Sequence, residues 1–488
     1  MAQDGDGRRL IIVSNRAPVT FFRDESGGRE HSRGSGGLVT ALNAAARRRK
    51  GTVWIASASS DEDARVARES AGEPYEVEDL QVTLVEHDED SYDLMYNRIA
   101  NPLLWFVQHG LYDLPYAPDL GDDTRRAWKD GYLPVNQSFA AAVERSLEAT
   151  GDADETAILV HDYQLYMVPQ FLRERLGDEP FVSLFVHIPW PAPENWRVLP
   201  KFVREGVLRS LLRCDVVAFH TGAYARNFMR TVREVLGVEA DEQIGVIRHG
   251  GRDVWARAYP ISIDPGEFEE LARGDAVLEQ EEEYVKALPG KLLLRVDRVD
   301  LSKNVVRGFR AYGRMFERHP EMKGEVTFLA SLQPSRGGIP EYADYAEAVK
   351  QAVEKVNAGH GTDDWRPVVL SMEDNFPRSI AAYKNYDALL VNAVRDGMNL
   401  VAKEAVVVND KNGVLVLSES AGAHEELGEH ALSVNPFDVD EQADALHRAL
   451  TMPDGERARR AEALKETVRA NTIEEWVEAQ LKDIATLR

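Results

Sequence analysis

Short apolar runs alternate along the chain with longer stretches whose apolar residues recur at helical spacing. In the first half the runs are LIIV at 10–13, AILV at 157–160, VSLFV at 182–186 and VVAF at 216–219. In the second half they are KLLLRV at 291–296, VTFLA at 326–330, PVVLS at 367–371, ALLVNAV at 388–394 and VLVLS at 414–418. Continuous rather than alternating apolar strands are buried on both faces, as in parallel sheets covered by helices. Helical stretches fall between them at 223–236, 305–317 and 342–356. The pattern predicts an α/β protein with doubly wound parallel sheets. The segment RDESGGREHSRGS at 23–35 shows neither period and reads as a loop.

The alternation pauses after AYPISI at 258–263, where an acidic, helix-like segment runs to 283. A fresh strand–helix series then starts at 291. This predicts a first domain over 1–262 and a second over 263–468, with a tail at 469–488. Within the tail, 471–487 reads as one amphipathic helix able to pack back on the first domain. The length of 488 residues agrees with two cores, because single cores stop growing at roughly 250–300 residues. In open α/β sheets ligands bind beyond the carboxyl ends of strands, so two such domains predict a site in the cleft between them.

Composition narrows the function. The net charge is −24, from 58 Lys and Arg against 82 Asp and Glu. Nucleic-acid binding needs clustered cations to displace counterions, so that class is excluded. Anionic small molecules would instead be held by a few well-placed arginines and lysines. No apolar run approaches the ~20 residues of a membrane span. The polar start MAQDGDGRR is not a signal peptide, and the cytoplasm is the expected compartment. The single cysteine, Cys214, can form neither an internal disulfide nor a zinc site and is expected to be buried. His161, His187, His220 and His249 lack close ligand spacing and there is no HExxH, so no metal is expected.

Candidate chemistry follows the strands. Ser14-Asn15-Arg16 comes after the first run, and an arginine there can hold a phosphate bidentately or close a surface ion pair. Arg33 to Val39, RGSGGLV, opens a helical stretch, and its glycines either let backbone N–H groups approach an anion or make a plain turn. His161-Asp162-Tyr163 and His187-Ile188-Pro189-Trp190-Pro191 end two further strands. Asp162 could accept hydrogen bonds from sugar hydroxyls. In RVDRVDLSK at 295–303, Arg298 and Lys303 set two cations at a helix N-terminus, which suits a pyrophosphate. Asp297 and Asp300 flank them, so an internal ion-pair network is the competing account. In RDGMNLVAKE at 395–404 a tight turn leads into a helix, where first-turn amides can meet phosphate and Glu404 can accept from ribose hydroxyls. Gln333-Pro334-Ser335-Arg336 supplies another strand-end arginine.

Taken in order, SNR, HDY, HIPWP, D-x-SK, RDGMNLVAKE and VLSESAGAHEELG resemble the trehalose-6-phosphate synthases, glycosyltransferase family 20. The resemblance runs from Ser14 to Trp476. It implies a retaining GT-B glycosyltransferase: two Rossmann-like domains with a cleft between them and a C-terminal helix crossing back. It implies that Arg16, Tyr96, Trp105, Asp162 and Arg336 bind the acceptor sugar phosphate, with the two arginines on the phosphate. It implies donor contacts from Gly36, Gly37, Phe376, Gly397, Met398, Asn399, Leu400, Val401 and Glu404, with Phe376 near the base and Glu404 on the ribose. Arg298 and Lys303 would hold the donor pyrophosphate, Asp396 the transferred glucose, and His187 would face that sugar. The substrates implied are UDP-glucose or GDP-glucose and glucose 6-phosphate, with no further cofactor. A homo-oligomer is compatible with the sequence.

The chain departs from the family pattern in places. The usual V-E-R-L-D-Y-S-K-G reads VDRVDLSKN, which makes Leu301 and Asn304 unusual. VWIASASS at 53–60 carries Trp54 but has Ser57 where the family often places a second tryptophan. These features resemble an actinobacterial-type branch. The altered acceptor wall leaves two relatives as alternatives, a glucosylglycerol-phosphate synthase and a pseudo-glycosyltransferase that couples cyclitols. A non-catalytic regulatory subunit would be expected to lose Arg298, Lys303 or Asp396, and all three are present. No phosphatase-like segment follows the last helix, so synthesis without dephosphorylation is expected.

Overall fold

A computed structural model describes residues 8–34, 37–49 and 51–487. It divides into two compact units, one of residues 1–261 with 473–488 and the other of residues 262–472.

The first unit is built on a ten-stranded sheet. Its middle is a parallel run ordered Arg252–Ala258, Val216–Phe219, Phe181–Phe185, Thr156–His161, Arg9–Ser14, Val53–Ser57 and Leu80–Val85. The strand order reverses between Arg9–Ser14 and Thr156–His161. Such a reversal opens a crevice at the carboxyl ends of the two strands, and there lie Ser14-Asn15-Arg16 and His161-Asp162. The central strands are largely apolar, with Ile11, Ile12, Val13, Ile158 and Val160 at 0% exposure. Each such side chain contributes ~1.5–3 kcal/mol of burial.

The polar segment 23–35 is not the loop its composition suggests. Val19–Arg23 and Arg29–Arg33 pair as an antiparallel hairpin through residue 34's neighbour Arg33. Its buried Val19 and Phe21 pack inward, and the Asp61–Glu69 helix adds polar anchors. The Phe21 N–H donates to Asp63 Oδ1 at 2.8 Å, and the buried Glu62 carboxylate takes Arg23 and Arg29 at 3.0 and 2.8 Å. Those partners lie some forty residues along the chain, beyond the reach of local patterning.

The final helix, Ile473–Thr486, belongs to the first unit. Trp476 packs edge-on against Phe185 at 5.4 Å, and Asp483 accepts from Arg257 at 3.0 Å and from the Tyr259 hydroxyl at 2.5 Å.

The second unit carries six parallel strands in the order Val368–Ser371, Val326–Gln333, Lys291–Arg298, Ala388–Val391, Val414–Ser418 and Leu432–Val434. The order reverses between Lys291–Arg298 and Ala388–Val391, so the 299–303 and 392–400 loops leave the sheet side by side. The core under them joins Leu293, Phe309, Phe328, Leu390, Val416 and Leu446, none more than 1% exposed. Both sheets are the doubly wound, parallel α/β arrangement that the apolar runs predict. Cys214 is buried. Among the described residues no helix is long and apolar enough to cross a membrane.

Candidate functional site

In the second unit the chemistry gathers at the strand-order reversal. Lys303 ends the short turn Leu301–Lys303, and its Nζ lies 2.6 Å from Asp396 Oδ2 and 3.7 Å from Asp297 Oδ1. Burial pulls the ammonium down, but Asp396 and Asp297 outweigh it, and Lys303 stays above its ordinary value. Burial pushes Asp297 up against the opposing pull of Arg295 and Lys303. Behind the pair stands Arg295, fully buried, donating from Nε to Asp297 Oδ2 at 3.0 Å and from Nη1 to Asn392 Oδ1 at 2.7 Å. A third bond runs to the Lys303 carbonyl. Arg295 carries no role among the sequence expectations, although a charge inside the apolar run KLLLRV is a visible signal. Arg298 is half-buried at the strand's carboxyl end.

Asn304 replaces the expected glycine by taking the left-handed conformation itself, at φ +60°. Asparagine tolerates that region better than most residues. Its side-chain amide also donates to the carbonyls of Asn392 and Pro436 at 2.9 and 2.6 Å, tying the 299–303 loop to the 392–400 loop.

The RDGMN turn is stitched to the SAG turn after the next strand. Asp396 N–H donates to Ser420 O at 3.2 Å, Gly422 N–H to Asp396 O at 3.1 Å and Ala423 N–H to Met398 O at 2.8 Å. Asn399 is left-handed at φ +79°, and its amide donates to Asp396 Oδ2 at 3.1 Å. The Val401–Val408 helix follows, starting at Leu400. The Ala402 N–H of its first turn is capped by Asn399 Oδ1 at 3.3 Å, and the positive end of the helix dipole faces the turn. Gly397 and the buried Met398 and Asn399 shape the turn, while Leu400 and Val401 stay partly exposed. Glu404 lies one turn on. Burial lifts its carboxyl to about 7, against the pull of the Tyr383 hydroxyl at 3.2 Å and of Lys303. Phe376 opens the Phe376–Asn385 helix and is 47% exposed, edge-on to Phe268 at 6.4 Å.

Arg336 is turned inward. Its Nη1 donates to Asp300 Oδ2 at 2.6 Å, and its guanidinium lies over the Tyr342 ring. Asp300 has no exposed surface and also accepts from Ser302 N–H at 2.9 Å.

In the first unit, Arg16 is exposed just past the Arg9–Ser14 strand. Asn15 donates to the Tyr92 hydroxyl at 3.1 Å, and Tyr92 stacks on Tyr96 at 5.8 Å. Ser57, fully buried, bonds Asn15 Oδ1 at 3.1 Å and His87 Nε2 at 3.0 Å. Ser138 meets the other His87 nitrogen at 3.0 Å. Burial lowers His87 to about 4, so it is neutral. The space beside Ser57 therefore holds an imidazole stacked on Tyr92 at 5.5 Å. Trp105 is 6% exposed, packed between His109 and Tyr163.

Asp162 adopts φ +77°, and its Oδ1 accepts from the His187 N–H at 3.2 Å. His187 Nε2 lies 3.0 Å from His161 Nδ1. Burial first, then His220 and His161, hold His187 well below its ordinary value, and burial takes His161 to about 3. Phe185 and Trp476 complete this cluster at 4.4 and 6.3 Å from the His187 ring. Gly36 lies outside the described residues, and Gly37 opens the Gly37–Arg48 helix.

The sequence matches the profile described as glycosyltransferase family 20 over residues 8–486. It is 32% identical over 483 residues to the "Alpha,alpha-trehalose-phosphate synthase [UDP-forming]" of Schizosaccharomyces pombe, covering 96% of this chain and 89% of that one. It is 32% identical over 487 residues to the "Validamine 7-phosphate valienyltransferase" of Streptomyces hygroscopicus subsp. jinggangensis, covering 98% and 95%. It is 31% identical to the "Alpha,alpha-trehalose-phosphate synthase [UDP-forming] A" of Dictyostelium discoideum, over 97% of this chain but only 62% of that longer protein. Its fold matches a solved structure from E. coli, described as trehalose-6-phosphate bound with UDP-2-fluoro glucose, with a TM-score of 0.83, 29% identity and 98% and 99% coverage. A profile spanning nearly every residue, with relatives above 30% identity along the whole chain, means that the chain belongs to glycosyltransferase family 20.

Proposed function

We propose that this chain transfers glucose from a nucleotide sugar to glucose 6-phosphate with retention of configuration, giving α,α-trehalose 6-phosphate. The observation that carries the reading is the Lys303–Asp396 pair at 2.6 Å, set at a strand-order reversal beside the N-terminus of the Val401–Val408 helix. Donor pyrophosphate has its charge met there by Lys303, Arg298 and the helix end, and the carboxylate of Asp396 takes hydroxyls of the transferred glucose. Glu404 takes the ribose, and Phe376, largely exposed, is placed for the base. Gly36 and Gly37 approach the donor. Arg16, Tyr96, Trp105, Asp162 and Arg336 serve the acceptor, with Arg336 exchanging Asp300 for phosphate oxygens. His187, neutral and held by His161, presents an uncharged edge to the sugar.

Departure of the nucleotide needs stabilisation of the developing phosphate charge, which fixed cations supply without reorganisation. The leaving phosphate takes the acceptor hydroxyl's proton, so no protein nucleophile is required. Binding both substrates supplies orientation.

A second reading is favoured by one observation. Ser57, where the family often has tryptophan, bonds His87 at 3.0 Å, and a valienyltransferase is among the relatives at 32% identity. On that reading a cyclitol phosphate is the acceptor. Purified protein given UDP-glucose or GDP-glucose with glucose 6-phosphate decides between them. An α,α-1,1-linked product identified by mass and NMR supports the first, and the ratio of rates gives the donor. Donor binding without any such product sinks it in favour of the second.

A further inference from the structure

Away from these loops, folding brings His447 to two side chains, His319 and Glu321, more than 120 residues earlier in the sequence. His319 follows the last turn of the Val305–Arg318 helix, Glu321 lies in the short turn Pro320–Met322, and His447 stands on the Val439–Thr451 helix. His319 Nδ1 is 3.2 Å from Glu321 Oε1, and His447 Nε2 is 3.9 Å from the same oxygen. One ligand atom from each residue lies within 4.8 Å of the others, and among the described residues no other group of histidine, cysteine and carboxylate side chains does this. Lys303 precedes that 14-residue helix and His319 follows it, so at ~1.5 Å per residue the two are about 20 Å apart.

Two atoms each ~2.1 Å from a tetrahedral ion stand about 3.4 Å apart. The edges to Glu321 are close to that value. The two imidazoles are stacked at 3.5 Å and 3°, and parallel rings do not aim both lone pairs at one point. One ring must turn about its Cβ–Cγ bond, a broad torsion for histidine. Both side chains are about a quarter exposed, at 28% and 27%, and have room to turn.

The surroundings suit a cation. His319 caps a helix C-terminus, donating its N–H to Met315 O at 2.7 Å, at the negative end of the dipole. Two imidazoles with one carboxylate are borderline donors, which select zinc, cobalt or nickel over magnesium or calcium.

We propose that His319, Glu321 and His447 form a binding site for a divalent transition-metal ion that ties the end of the Val305–Arg318 helix to the Val439–Thr451 helix. The ion braces the second unit and takes no part in sugar transfer.

The test uses tag-free, full-length protein stripped with chelator. Cobalt(II) chloride is titrated while visible d–d absorption is recorded, and zinc chloride is titrated by calorimetry. The expected result is one equivalent bound, with affinity at least about tenfold weaker in His447→Ala and in Glu321→Gln, since even outer-shell losses at metal sites cost that much. Zinc should raise the melting temperature of the native chain and not of His447→Ala. Transferase activity should be the same in native chain and variants, with or without zinc, so this result stands apart from that reading. Absence of a saturable equivalent, or undiminished binding by both variants, overturns the proposal.

Discussion

Lys303 Nζ and Asp396 Oδ2 lie 2.6 Å apart, although they come from loops on opposite sides of a strand-order reversal and are 93 residues apart in sequence. In the proposed reaction this contact would set the cation for the pyrophosphate beside the carboxylate for the glucose. Lys303→Met keeps the aliphatic stem and removes the charge. Its kcat should fall about 10²–10³-fold, the range for losing one preorganised stabiliser of developing charge. Circular dichroism should be unchanged. Near-native turnover in a folded variant would remove Lys303 from the mechanism.

Arg336→Ala should raise the apparent KM for glucose 6-phosphate far more than that for the donor. It should also lower stability by about 1–3 kcal/mol, because Asp300 then keeps a buried oxygen without its strongest partner. Steady-state kinetics at saturating cosubstrate, with chemical denaturation alongside, separate the two effects. A donor KM that rises instead would mean that Arg336 serves the wrong substrate in this scheme.

If Glu404 takes the donor ribose as proposed, donor binding should be sensitive to pH. With its carboxyl lifted to about 7, it is protonated below that value and a carboxylate above it. Ribose hydroxyls donate better to the carboxylate, so donor affinity should rise as pH climbs through about 7, and Glu404→Gln should flatten the curve. Stability runs the other way. The folded chain holds a proton that the unfolded chain has already released, so this group's contribution is full below the ordinary glutamate range and lost as pH rises through about 7. Isothermal titration with the nucleoside diphosphate across this range reads the first effect. A native curve parallel to that of Glu404→Gln excludes the role.

Many of the candidate residues in each unit were legible because they follow continuous apolar strands, and such strands announce themselves. Arg16, Asp162, Lys303 and Asp396 all lie within a few residues of a strand's carboxyl end. What escaped was set by distance in sequence. Arg295 meets Asn392 from 97 residues away, and His87 meets Ser57 and Ser138 from 30 and 51 residues away. The hairpin from Val19 to Arg33 hid for the same reason, since its Arg29–Arg33 strand is polar and Glu62 and Asp63 anchor the pair from about forty residues away.

Chelation should spare the transfer reaction. In the proposed reaction Lys303, Arg298 and the start of the Val401–Val408 helix would meet the pyrophosphate with fixed positive charge, a task that a divalent ion performs in other phosphoryl sites. Activity after EDTA dialysis should stay near its starting value. Complete loss, restored by magnesium or manganese, would show that these groups do not suffice.

The closest approach in the donor region offers a sharper probe. A Cβ built on Gly422 would stand 1.9 Å from the Gly397 carbonyl oxygen and 3.0 Å from Met398 Cα, both backbone atoms. Neither can swing aside as a side-chain tip would, so Gly422→Ala must push the RDGMN turn outward. The turn is held there by the Gly422 and Ala423 N–H bonds to Asp396 O and Met398 O, at 3.1 and 2.8 Å. Overpacking of this kind costs about 1–3 kcal/mol, which a doubly wound unit with a separate core can absorb while staying folded. Donor KM should rise about tenfold or more, because a misplacement near 1 Å in a positioned group costs up to about 10²-fold. The acceptor KM should not move. If Gly422→Ala folds and keeps both constants, the turn has freedom that these contacts deny it, and the placement of Asp396 opposite Lys303 is not what sets donor binding.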